Sequence, residues 1–292
     1  LLALKLARGE GYLAQARHGW RETMAVDSSS GAIDHVVILP GNSRLPIVTA
    51  AVTGCFFLSV LMGYYWMALL PVMAVIGLGW RWAWALGSRA DVGPMAIGKG
   101  QTALVHREAA GGPAWWGSIF LLVADSVLLA SLLFGYAFLW VVAPNWPPPQ
   151  TIDGGLGVAI MTALSGWAAV FLARRSEASG RQGSLGMAGQ TAIGAACAHG
   201  ASAIGLLVIG ITALPPPSNH AYAAVAWVLL AYGILHALVA LLCAAFVRAR
   251  IGGGYISARR FREFEITRLF GDYSGMVILI ILLCLFMPSI AL

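Results

Sequence analysis

The stretch that most constrains this chain is Trp115–Ala143, WWGSIFLLVADSVLLASLLFGYAFLWVVA. It is apolar throughout except for one charged-type side chain, Asp125. A run of this length reads as a transmembrane helix, long enough to cross ~30 Å of hydrocarbon with tilt to spare. A carboxylate at that depth costs roughly 2.5–3.5 kcal/mol on insertion scales, so the fold must supply it with partners. Composition agrees with the membrane reading. The chain is 59% hydrophobic and 10% charged, where a soluble domain carries about 25% charged residues.

Further apolar runs give seven expected spans. Leu45–Leu86 divides at Met62–Tyr65 into a hairpin, with Gly63 in the turn and Tyr64, Tyr65 and Trp66 at the interface. Five spans follow: 115–143, 155–173, 190–214, 221–246 and 269–292. The expected class is an all-α polytopic membrane protein, a two-helix hairpin plus a five-helix bundle. The domain reading is a polar N-terminal segment 1–45, the hairpin 46–87, a loop 88–113 and the bundle 114–292. Residues 1–15 have helical character, Asp27–Gly31 reads as a turn and Val36–Pro40 as a short extended piece. Pro144–Gly154, with four prolines, ends the long helix. The other expected loops are 174–189 and 248–268.

Charge sets the expected topology. All 18 Lys and Arg fall in the N-terminal segment, the loops 87–112, 174–189 and 248–268, or span ends beside them. With seven spans these lie on one side, so the positive-inside rule puts the N-terminus in the cytosol and the C-terminus outside. The formal charge of +6 is then topological, and no nucleic-acid partner is expected. The arginines of the last loop, Arg259, Arg260 and Arg262 among them, are placed to attract anionic lipid headgroups. The cysteines (Cys55, Cys197, Cys243, Cys284) lack metal or disulfide spacing and read as small buried hydrophobes. The chain begins with Leu and has no cleavable signal, so a piece of a longer polypeptide is expected.

Three strongly polar groups lie deep in spans: Asp125, His199 and His236. At 1.5 Å per residue all three fall about 15–18 Å from the cytosolic boundary. Buried ionisable groups in bilayers tend to pair. Asp125 is therefore expected to meet His236 or, as second choice, His199. A retinal protein would need an intramembrane lysine, and Lys5 and Lys99 lie outside the spans. A serine protease would want Gly-x-Ser-Gly, whereas Ala163–Gly166 reads ALSG. His199 and His236 could serve as axial haem ligands, though histidines on separate helices commonly have other roles. A proton-coupled small-solute transporter working through Asp125 and His236 is the alternative function; inverted repeats and broken helices, its usual marks, are not evident. Gly271 and Gly275 have GxxxG spacing, which favours close helix packing.

The order of these features resembles subunit III of the haem–copper oxidases, in the form where subunits I and III are fused. WWG at Trp115–Gly117 opens the long helix as in that family, and Asp125 falls where the family usually has a glutamate. His220–Leu242 (HAYAAVAWVLLAYGILHALVALL) resembles the penultimate helix, with His236 matching the second His of an HGLHV-like motif and Gly233 replacing the first. Arg268–Tyr273 (RLFGDY) resembles the final LFWHY segment, with Gly271 and Asp272 in place of Trp-His. RETMAVDSSSGAIDHVVILPG and the hairpin are similar to the junction after a subunit I core. The resemblance implies a non-catalytic bundle that supports stability, lipid binding and proton uptake in a cytochrome c oxidase of a bacterial inner membrane. It implies phospholipid in a cleft of the bundle. It also implies subunits I and II as partners, cytochrome c as donor to the complex, and haem and copper in subunit I rather than in this chain.

Overall fold

The computed structural model describes residues 13, 21–86, 93–105, 108, 111–143, 146 and 155–291. The expected helical character of residues 1–15 falls outside them except at Leu13, as does most of the proline-rich stretch 144–154. The chain forms two compact units, Leu1–Arg107 and Glu108–Leu292.

The first unit contains a helical hairpin and a small sheet. Helix α1 (Leu45–Leu61) is joined to α2 (Tyr65–Leu86) through Gly63, which takes a left-handed φ of +77°. Helix α1 buries none of its side chains, and Ala68 is the buried residue of α2. Helices apolar on all sides with so little burial are suited to hydrocarbon rather than water. The sheet departs from the all-helical expectation. Strands β1 (Glu22–Val26), β2 (Ile33–Ile38), β3 (Pro94–Gly98) and β4 (Gln101–Val105) pair in the order β1-β2-β4-β3. Two antiparallel hairpins are joined by a parallel β2–β4 pair, His35 opposite Leu104 and Val36 opposite Val105. Val36, Met95, Ile97, Ala103 and Val105 form its apolar side. The expected turn at Asp27–Gly31 is present. Asp27 accepts hydrogen bonds from the Ser29 hydroxyl and the Ser29 and Ser30 amides, which hold its carboxyl well below the usual range.

The second unit is a helical bundle of α3 (Pro113–Val142), α4 (Leu156–Arg181), α5 (Leu185–Ala213), α6 (Ala221–Gly252) and α7 (Arg262–Ala291). Helices α4, α5, α6 and α7 pack as a four-membered ring, and α3 lies against α6 and α7. Leu206, Ile209, Leu229, Leu230, Ile281 and Leu285 are among its most deeply buried side chains. Across the described residues, six helices are long and apolar enough to cross a membrane, and α1, at 17 residues, is a shorter apolar helix.

The helices run past the expected span limits. The expected loop 174–189 contracts to Gln182–Ser184, and 248–268 to residues 253–261. Ion pairs accompany the extra turns, because charged side chains leaving the apolar stretch meet partners on their own and on neighbouring helices. Arg181 lies 2.8 Å from Glu177 and 2.5 Å from Glu265, and Arg268 pairs with Glu177 and Asp272. The cysteines also differ from expectation, since Cys55 and Cys197 are exposed on the protein surface. Thiols facing lipid carry little cost, being small and weakly polar.

Helix α7 begins with a cap contributed from far away in sequence. The Glu108 carboxylate accepts the amides of Phe261 at 2.7 Å and Arg262 at 2.8 Å, satisfying donors that a helix start leaves open. Burial, reinforced by the negative charge of Glu263, raises the Glu108 pKa against the opposing effect of these bonds and of Arg260.

The two glycines of the GxxxG pair have different surroundings. A Cβ at Gly275 would lie 2.5 Å from Val170 Cγ2, whereas at Gly271 it would stand 3.5 Å from His199 Nε2 and 3.6 Å from Ala173 Cβ. Gly275→Leu is expected to overpack the α4–α7 contact and cost about 1–3 kcal/mol in reversible unfolding, while Gly271→Ala is tolerated. For Glu108, a raised folded-state pKa means that its contribution is largest below the ordinary glutamate value and is lost as pH rises through the raised one. Glu108→Gln keeps an acceptor without the buried charge, so its melting temperature relative to wild type should rise as pH increases from below the ordinary glutamate value through the raised one. Glu108→Ala should lower stability by about 0.5–2 kcal/mol through loss of the cap.

Candidate functional site

Asp125, midway along α3, is met by side chains from two other helices. Tyr232 and His236, four residues apart, share one face of α6, and Tyr273 comes from α7. All three converge on one carboxylate oxygen. His236 Nε2 lies 2.8 Å from Asp125 Oδ2, the Tyr273 hydroxyl donates to it at 2.7 Å, and the Tyr232 hydroxyl donates to the same oxygen. The two tyrosine oxygens are 3.1 Å apart. His236 is 5% exposed, and its ring stacks on Phe270 at 5.9 Å.

The hydrogen bonds limit where protons can be. His236 Nδ1 lies 2.8 Å from the Tyr232 carbonyl, which only accepts, so Nδ1 carries hydrogen. Nε2 then either donates as part of an imidazolium to a carboxylate or accepts from a carboxylic acid. In both cases the pair shares one proton and has no net charge. Three donors around one oxygen is an arrangement that suits the carboxylate form. While the pair keeps its shared proton, the site places no net charge in the hydrocarbon.

A second polar contact ties α3 to α7 further along. Tyr136 donates to the Cys284 carbonyl at 2.6 Å. Residue 288 is proline and has no N–H, so that carbonyl lacks its usual donor four residues on. The Tyr222 hydroxyl on α6 donates to the next carbonyl, Leu285, at 3.3 Å. Beside the Asp125 cluster is a half-open groove of about 450 Å³ between α3, α4 and α7, bordered by Leu122, Trp167, Met276 and Tyr273. At one end Arg174 Nε donates to Asp272 at 2.9 Å.

His199 does not join Asp125. It lies on α5, 1% exposed, facing Gly271 and Ala173. Gly271 and Gly275 are at helix contacts, as described above. Of the three loop arginines, Arg259 is exposed, but Arg260 is 2% exposed, and Arg262 is partly buried, 3.6 Å from Glu265. The loop folds back on itself through the Ser257–Arg260 bridge. Among the described residues, no group of three or more His, Cys, Asp and Glu could hold a metal ion.

Tyr232, Tyr273 and Tyr136 were not singled out from sequence. Tyr232 had a local signal in its four-residue spacing from His236. Tyr136 and Tyr273 had none, because each meets a partner 148 residues away.

Removing the carboxylate leaves His236, Tyr232 and Tyr273 short of an acceptor, a cost of about 1–3 kcal/mol. Asp125→Ala should therefore lower stability by that amount, and Tyr232→Phe by about 1 kcal/mol, as read from unfolding of the detergent-solubilised chain. In a double-mutant cycle, Asp125→Ala and His236→Ala should be strongly non-additive. Additive losses would show that the two side chains do not act together.

Neither the protein-family models nor the curated proteins compared with this chain match it.

Proposed function

We propose that this chain is a non-catalytic, subunit III-like membrane bundle of a proton-pumping haem–copper oxidase, formed as the C-terminal part of a fused I/III polypeptide. The observation that carries this reading is the placement of Asp125. An acid on the long helix that opens with Trp115-Trp116-Gly117 is received by the helix carrying His236 and by the last helix. Those are the segments whose sequences resemble the family. In this reading the carboxylate supports helix packing and proton uptake, while oxygen is reduced in subunit I, which holds the haems and copper. Subunit II and cytochrome c are its other partners in a bacterial inner membrane. The groove between α3, α4 and α7 is apolar along its length and charged at the Arg174 end, a combination that suits a phospholipid.

The topology in this proposal has seven crossings, with the N-terminus cytosolic and the C-terminus outside. Two features support it. Lys and Arg are confined to segments on one side. In addition, the sheet pairs residues before α1 with residues after α2, which requires an even number of crossings between them.

The one-proton Asp125–His236 pair beside a groove favours a second reading, a proton-coupled small-solute transporter. Purification of the native assembly separates the two. The oxidase reading expects haem bands and subunit I and II chains to co-purify with this chain. A haem-free homo-oligomer that takes up solute with protons would overturn it. Within an assembled oxidase, Asp125→Asn should leave the initial rate of oxygen reduction largely intact and hasten inactivation during turnover. Loss of the first turnovers in a correctly assembled complex would contradict a supporting role.

A further inference from the structure

Helix α6 begins at a histidine that serves as its N-cap. His220 has an extended backbone, φ −157° and ψ 149°, and its ring Nδ1 accepts the Tyr222 amide at 3.0 Å. An amide N–H only donates, so Nδ1 carries a lone pair and the capping ring is neutral, with its hydrogen on Nε2. The residues usual at this position, Ser, Thr, Asp and Asn, accept through oxygens that keep their lone pairs near neutral pH. Histidine differs from them. An imidazolium has hydrogen on both nitrogens and cannot cap, and its charge stands against the positive end of the helix.

The capped turn also carries the packing at this end of the bundle. Tyr222 is 0% exposed, and its hydroxyl donates to the Leu285 carbonyl of α7 at 3.3 Å. Its ring meets Trp146 edge-on at 5.0 Å between centroids, and Tyr136 of α3 at 6.4 Å. The ring of His220 lies 6.2 Å from that of Trp146. The residue whose amide is capped is therefore the one that links α6 to α3 and α7. His220 itself is half-buried, so protons from solvent reach it. It stands at the end of α6 away from Arg248 and Arg250, and the pH it meets is that of the side opposite the basic loops.

We propose that His220 is an acid-labile cap. Its neutral ring closes the first turn of α6, and protonation opens that turn and loosens the contacts of Tyr222 with Trp146, Tyr136 and Leu285. The sign follows from the bond. Only the neutral ring makes it, so the contribution is present above the ordinary histidine value of about 6.5 and is lost as pH falls below it. Among the described residues, the other ionisable side chains at this end are Tyr136 on α3, Tyr222 on α6 and Cys284 on α7. Phenols and thiols ordinarily titrate near 10 and about 8.5, above this range. The adjoining turns of α4 and α5, 156–160 and 209–213, contain no ionisable residue. The Asp125–His236 pair is sixteen residues further along α6, about 24 Å at 1.5 Å per residue.

The test is hydrogen exchange at the Tyr222 amide, read by NMR on the full chain in lipid nanodiscs between about pH 8 and pH 5. Wild type is compared at each pH with His220→Asn, whose amide oxygen caps without titrating, and with His220→Ala, which has no cap. Comparison at equal pH cancels the pH dependence of exchange chemistry itself. Wild type should match His220→Asn above about pH 7. Near the acid limit it should exchange about 3- to 30-fold faster than His220→Asn, the range expected for loss of an N-cap. His220→Ala should exchange fast throughout. A ratio of wild type to His220→Asn that stays constant across the range overturns the proposal, as does a Tyr222 amide equally protected in His220→Ala. Should His220→Ala fail to fold, the comparison of wild type with His220→Asn decides alone.

Discussion

A carboxylate placed inside an apolar helix governs the arrangement of the bundle. Helix α3 is otherwise tied only lightly to its neighbours, with Leu122, Leu129 and Tyr136 its buried side chains. In lipid there is no hydrophobic force to press it onto α6 and α7, since acyl chains are as apolar as leucine. What holds it is directional: Asp125 on Tyr232, His236 and Tyr273, and Tyr136 on a carbonyl that Pro288 leaves open. The four-helix ring behind it is held differently, by small residues that allow close backbone approach, as at Gly275 against Val170.

At the charged end of the bundle the same physics operates in more polar surroundings. Arg174, Arg181 and Arg268 reach Glu177, Glu265 and Asp272 across α4 and α7, so that the charged residues extend the helices instead of ending them. Glu108 belongs to this end as well, closing the open amides of α7. Buried charge here is matched by partners, as it is at Asp125.

Much of the architecture was legible in the chain. Apolar length marks each long helix, and Gly63 marks the hairpin turn. The depth of Asp125 and His236, counted along their spans, brings them to the same level. The sheet was not legible. Its strands are five or six residues long, and β2 and β4 lie on either side of a helical hairpin, so their pairing leaves no local trace. Helix ends were misjudged because an arginine in sequence looks like the end of a span, whatever lies opposite it. Arg260 looked like a lipid contact for the same reason, and the folding of its loop buries it.

The sequence by itself determined that the chain is a multi-pass membrane protein and that Asp125 must be given partners, because hydropathy and the cost of a buried charge are local properties. Only the tertiary structure decided which partners those are. It assigned His236 to Asp125 and left His199 to another pocket, although the two histidines have similar depth. Depth follows from counting residues along one helix. Azimuth, the direction in which a side chain leaves the helix, has meaning only once the neighbouring helices are in place.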